Sequence, residues 1–261
     1  MATKRPVRKA AGKPGRLTKK QFGPSMPVTG PAVQAPPFWY RNMEMMFVTY
    51  RTDEAAAQRI LPEGLELAGP ATATCIIAHY HWSTFGPYHE AILGIACTWK
   101  GTPMTYLPYL FVNQEAPLIA GREIWGYAKK LATLNLVKEH ELYMGTIERP
   151  TGNRLATAVM RTCDNLNADA FKMDPIISLK VIPNSSGGAP AIAELVACDF
   201  DVRPVVATDG VAELWTGPGN LTWNTPSACD PWCELAVKDT VSCVYGFFNG
   251  YLPYGRVLRT Y

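Results

Sequence analysis

From about residue 44 the chain is a succession of short apolar runs broken by turn signals. MFVTYR (46–51) reads as a strand. Asp53 then suits an N-cap ahead of the alanine-rich EAAAQRIL, a short helix closed by Pro62 and Gly64. Runs rich in β-branched and aromatic residues follow: ATATCIIAHYHW, YHEAILGIACTW, MTYLPYLFV, LATAVMRT, IISLKVIP, AIAELVACDFDV and DTVSCVYGFF. KGTP, PTGN, NSSGG and ATDG separate them as turns. Many strands, close turns and few helices predict a β-rich α+β protein, its large antiparallel sheet closed into a barrel. EAPLIAGREIWG (115–126) predicts one of the few short helices.

Composition narrows the class. The 261 residues are 48% hydrophobic, enough to bury one sizeable core. No apolar run approaches 18 residues and no apolar block follows the N-terminus, so neither a membrane span nor secretion is expected. Seven cysteines are scattered, several of them inside strand-like runs, which predicts buried free thiols in a reducing, cytoplasmic setting. Cys229 and Cys233 lack a second ligand pair nearby and make a weak zinc motif.

Charge divides the chain. Residues 1–43 carry nine Lys or Arg and no acid, while the remainder has 16 basic and 22 acidic residues. The expected organisation is a disordered basic leader over 1–37 and a single catalytic domain over 38–261. The tail alone would support nucleic-acid contact, and no such partner is expected.

GREIWGYAKKLATLNL (121–136) sets Lys129 and Lys130 among apolar, aromatic and small residues. A lysine attacks a carbonyl only when unprotonated, and an ordinary one, with a pKa near ~10.4, is ammonium at neutral pH. Desolvation and a neighbouring cation both favour the free amine. Trp125, Tyr127, Ala128, Leu131 and Leu134 are candidates for the first effect and Lys130 for the second. If the segment is extended, the two lysines point to opposite faces. The residues alone leave two readings open, a Schiff-base nucleophile and a surface lysine pair at a helix end.

The same segment resembles the catalytic stretch of the acetoacetate decarboxylase-like superfamily, where Tyr-Pro-Lys-Lys follows Gly-Arg-Glu. Acetoacetate decarboxylase is a familiar example of a lysine activated in this way. YRTDEAAAQRILPEGLEL resembles the family's early strand, helix and turn, and FGPYHEAILGIACTW the segment with its essential glutamate. WTGPGNL (215–221) resembles a motif of the C-terminal third. The likeness spans residues 38–261. It implies Lys129 as the Schiff-base lysine, Lys130 as its pKa-tuning neighbour and Glu90 as the active-site carboxylate. It also implies a small carbonyl substrate, a homo-oligomer and no cofactor or metal.

Departures from the family pattern shape the expected reaction. The decarboxylase's carboxylate-binding arginine corresponds to Met43, with Arg41 two residues away and on the same face if extended. Its second carboxylate corresponds to Cys75, and the motif proline is Ala128. The aldolase branch uses a tyrosine near the C-terminus, to which Tyr251 corresponds better than Tyr254. These features favour aldolase, retro-aldolase or aldolase-dehydratase chemistry. The alternatives are a β-keto acid decarboxylase and a non-catalytic small-molecule-binding relative.

Other candidates are secondary. Cys75, His79 and His81 alternate on one strand face, so His79 is a candidate substitute for the missing carboxylate. His-x-His with a thiolate also suits zinc, against partly exposed or hydrogen-bonded histidines as the ordinary explanation. Glu123 matches the family and is placed to orient the pocket, pair with Arg122 or cap a helix. Gly-x-Ser-x-Gly, Walker and Rossmann fingerprints are missing from the sequence.

Overall fold

The computed structural model describes residues 12–261. The chain divides into two units at Gln34. In the first, residues 12–34 include a 3-10 turn at Lys19–Gln21, whose Gln21 side chain accepts from the Thr18 amide and hydroxyl. The basic stretch MATKRPVRKAA lies outside the described residues, so the leader reading of 1–37 rests on sequence.

The second unit carries β1 (Phe38–Arg51), β2 (Leu65–Leu67), β3 (Thr72–Ser83), β4 (Tyr88–Trp99), β5 (Thr102–Val112) and β6 (Lys129–Leu131). β7 (Thr133–Glu139), β8 (Leu142–Glu148), β9 (Arg154–Arg161), β10 (Asp164–Asn165), β11 (Ile176–Ile182) and β12 (Ile192–Cys198) follow. The last are β13 (Asp201–Pro204), β14 (Leu214–Thr216), β15 (Gly219–Trp223), β16 (Asp239–Leu252) and β17 (Arg256–Thr260). Two short helices complete the set, α1 (Glu54–Ile60) and α2 (Glu115–Ala120), the second continued by a π-helical turn at Gly121–Trp125.

Thirteen strands form one mostly antiparallel sheet in the order β10-β14-β16-β1-β3-β4-β5-β11-β12-β17, with β13 on β16, β2 on β4 and β6 on β5. β15, β9, β8 and β7 form a second sheet. The expected closure into a barrel is not seen, because the path ends at β10 and β17 and these are not paired. A long twisted sheet splits or curls rather than extending flat, and here four strands leave it to form a separate layer.

The main core fills the space between the two sheets. Met46, Cys75, Ile77 and Leu93 from the large sheet cluster with Leu134, Ile147, Leu155 and Leu221 from the small one. A Cβ at Gly145 would fall 2.4 Å from the tip of Ile77 and 2.9 Å from that of Met46, so the layers meet tightly there. Full burial of each such aliphatic side chain stabilises by about 1.5–3 kcal/mol.

Asp53 caps α1 as expected, accepting from the Ala56 amide at 3.0 Å. β1 starts eight residues before the predicted MFVTYR strand. Its first half reads as too polar for a strand because it is bulged. Asn42 adopts φ 53°, and the register shifts between Tyr40 and Met43. Tyr40 and Met43 stay buried while Arg41 and Asn42 turn out.

Candidate active site

Lys129 opens β6, which lies parallel to β5 with Lys129 opposite Leu110. The preceding chain is built around its side chain. A Cβ on Gly121 would sit 2.7 Å from Lys129 Cδ and 2.9 Å from Cε, so only glycine leaves room for the stem. The π-helical turn ends at Gly126, whose φ of 80° is a left-handed cap that glycine adopts freely. The Tyr127 amide donates to Gly121 O at 2.9 Å, and Arg122 Nη1 donates to Lys129 O at 3.1 Å.

Glu90 lies on β4, paired with Ala78 of β3 and Val112 of β5. Lys129 Nζ is 2.8 Å from Glu90 Oε1, and both residues are buried, at 6% and 4% exposure. Together they line a cavity of about 30 Å³ with Tyr40, Tyr80, Tyr127, Ile92, Leu107, Leu110, Ile176, Phe200 and Leu252. Ile92, Leu107, Ile176 and Phe200 also line a larger apolar groove of about 240 Å³, whose charged residues are Lys172 and Asp174. Tyr88 Oη lies 3.5 Å from both Glu90 Oε2 and Tyr40 Oη.

Burial raises Tyr40, Tyr80, Tyr88 and Tyr127 above the ordinary phenol range, so all four stay protonated. Tyr127 Oη is buried with no hydrogen-bond partner among the described residues. Such a group costs about 1–3 kcal/mol when left unsatisfied. Tyr40, Tyr80 and Tyr88 escaped the sequence reading, although Tyr88 and Glu90 share a strand face two residues apart. Strand alternation across β3 and β4 was the available signal.

Lys130 points to the other side of β6. Its Nζ is 2.8 Å from Asp230 Oδ1, and Arg149 Nε is 3.1 Å from Asp230 Oδ2. Asp230 is buried and engages both cations, so Lys130 is held on the face of β6 away from the Lys129 cavity, as an extended segment implies. Of the predicted apolar neighbours, Tyr127 lines the cavity, Trp125 stacks on Tyr127, and Leu131 is half exposed.

Several other expected site residues are placed elsewhere. Arg41 is turned outward by the Asn42 bulge and lies over the Trp39 ring, so the expected shared face with Met43 is lost. Met43 is fully buried opposite Tyr80 and does not line the cavity. Cys75 faces the inter-sheet core, where burial pushes its thiol up to about 12. His79 shares that face, away from Tyr80 and Lys129, and burial lowers its basicity. Tyr251 packs on Trp39 beside Arg41, Asp201 and Arg203, and its neighbour Leu252 reaches the cavity instead. Glu123 is half-buried in the π-helical turn and forms no ion pair or hydrogen bond among the described residues.

Comparison with known proteins places the chain among relatives. The family model for acetoacetate decarboxylase matches residues 25–261. An acetoacetate decarboxylase of Acidiphilium cryptum is 34% identical over 241 residues, covering 91% of this chain and 95% of its own. A solved acetoacetate decarboxylase superposes with a TM-score of 0.85 at 30% identity, covering 94% of this chain and 99% of that one. The enduracididine biosynthesis enzyme MppR, solved with pyruvate, has a TM-score of 0.78 at 23% identity over 92% and 98% of the two chains, a likeness of fold.

The family model and the relatives define the class, a Schiff-base carbon–carbon lyase acting on a small carbonyl substrate. The chain belongs to the acetoacetate decarboxylase family. It is accordingly an enzyme, and the non-catalytic binding relative is set aside. Among the described residues no helix is long and apolar enough to cross a membrane.

Proposed function

We propose that this enzyme decarboxylates a β-keto acid through an imine on Lys129. The observation that carries the reading is the buried Lys129–Glu90 pair in a chamber otherwise walled by phenols and apolar side chains. The 34%-identical relative of the same family name supports decarboxylation over the aldolase reading. Met43, Cys75 and Tyr251, on which the aldolase reading leaned, do not line the cavity.

Glu90, at contact distance, takes a proton from the Lys129 ammonium. The freed amine attacks the ketone carbon, and water leaves to give a protonated imine. The bond from the α-carbon to the carboxylate then breaks. Its electron pair moves into the imine to form an enamine, and carbon dioxide departs. Protonation of the enamine carbon and hydrolysis of the imine release the shortened ketone and regenerate the amine. Tyr127 Oη, protonated and unpartnered, donates to a substrate oxygen.

The carboxylate enters a chamber where, among the described residues, Lys129 is the sole lining cation. Loss of its hydration favours the charge-dispersed transition state. The adjoining groove, lined by Met45, Phe47, Ile76 and Phe171, suits an apolar tail, so β-keto acids larger than acetoacetate are the favoured substrates. The test is carbon dioxide release across a series of β-keto acids with increasing tail length. Release that depends on Lys129 and rises with tail length supports the reading. Aldol products without carbon dioxide would replace it.

A further inference from the structure

Three of the chain's four histidines meet on the sheet face opposite Lys129. The β1–β3 register sets Glu44 directly across from His79. His81, two residues on, shares the face. Glu44 Oε2 lies 3.0 Å from His81 Nε2 and 4.0 Å from His79 Nδ1. One ligand atom from each of the three residues falls within 4.8 Å of the other two. Ligands of a tetrahedral ion stand about 3.3–3.6 Å apart, given bonds of about 2.0–2.2 Å, so small rotamer adjustments close this set.

The surroundings hold the three groups in place. Tyr245 Oη donates to Glu44 Oε1 at 2.8 Å and leaves Oε2 turned to the imidazoles. The His79 ring lies between those of His81 and His89, at centroid distances of 3.9 Å and 4.0 Å. His89 is fixed through its amide, which donates to Asn113 Oδ1 at 2.8 Å. Protonating stacked imidazoles to pair with Glu44 sets like charges against each other, whereas one cation shared by their lone pairs does not. The His81 side chain is 39% exposed, which gives an ion a route in and leaves coordination positions to water.

We propose that Glu44, His79 and His81 form a binding site for a divalent transition-metal ion of the zinc class. Two imidazole nitrogens and one carboxylate oxygen are a donor set that zinc accepts. Cys75, the thiolate that a His-x-His zinc site on this face would have used, lies in the inter-sheet core, and Glu44 from the neighbouring strand takes its place. The ion joins β1 to β3 and lies apart from the Lys129 cavity.

The test is calorimetric titration of the chelator-stripped full chain with Zn2+, with thermal unfolding and a Co2+ absorption spectrum alongside. The expected result is one ion per chain, a Tm that rises with Zn2+, and a cobalt spectrum free of thiolate charge transfer. His81→Ala and Glu44→Gln weaken binding at least about tenfold, and Tyr245→Phe does so by about tenfold through the lost second contact. His140→Ala binds as the unsubstituted chain does. Circular dichroism confirms that each variant is folded, and the cobalt spectrum decides without any variant. A thiolate band, no zinc binding, or unchanged affinity in folded His81→Ala overturns the site.

Discussion

Lys129 Nζ and Glu90 Oε1 stand 2.8 Å apart on strands joined through β5, and neither residue is more than 6% exposed. Removing one partner of a buried pair strands the other, whereas removing both leaves only packing to repair. Glu90→Gln is therefore expected to lower stability by about 3 kcal/mol. The double variant with Lys129→Met should be more stable than the sum of the singles predicts. Urea unfolding of the four proteins measures this coupling. Strict additivity would show that the pair does not interact in the folded state.

Lys130 and Asp230 give the contrasting case. Asp230 is buried and takes both Lys130 and Arg149, so Asp230→Ala should cost about 3 kcal/mol of stability. Lys130→Met should leave the pH dependence of imine trapping unchanged, because its ammonium is directed to Asp230 and away from the cavity. A profile displaced by a full pH unit would restore Lys130 as an electrostatic partner of Lys129.

Tyr127→Phe separates stability from activity. The phenol hydroxyl is buried and unpaired, so its removal should leave stability equal or raised by up to about 1 kcal/mol. Decarboxylation should nonetheless fall about 10–100-fold if the hydroxyl serves the substrate. Thermal unfolding and steady-state kinetics of one variant provide both readings. Equal activity with equal stability would remove Tyr127 from the mechanism.

Thiol labelling checks which sheet face each cysteine occupies. Cys163 and Cys229 are exposed, while Cys75 is buried with its thiol pushed up to about 12 by desolvation. The thiolate is the reactive form, so Cys75 stays neutral and inert from neutral pH up to about that value in the folded protein. Iodoacetamide at pH 8 should modify Cys163 and Cys229 and spare Cys75 until denaturant is added. Peptide mass mapping reads the outcome, and early labelling of Cys75 would place it in an accessible pocket.

How far the sequence carried depended on local regularity. Alternation was enough for most strands and for the capped helix after Asp53, because those segments are governed by near neighbours. The family likeness singled out Lys129 and Glu90, and the structure brings the two into contact. What failed was phase. A single bulge at Asn42 sends Arg41 outward, and one step along β16 exchanges Tyr251 for Leu252 at the cavity. Cys75, expected by spacing at the place of a family carboxylate, faces the opposite side of β3 from the lysine. Asp230 lies 100 residues beyond Lys130, so no local pattern announced that pairing. Sheet closure is likewise a property of how distant edges meet, and the two edges here are not paired.

The most direct test of the account is borohydride trapping. The full chain is incubated with acetoacetate and with a longer β-keto acid, reduced, digested and mapped by mass. The account predicts one stable adduct, on the peptide carrying Lys129, lost in Lys129→Ala and retained in Lys130→Met. No adduct, or an adduct confined to Lys130, would contradict it.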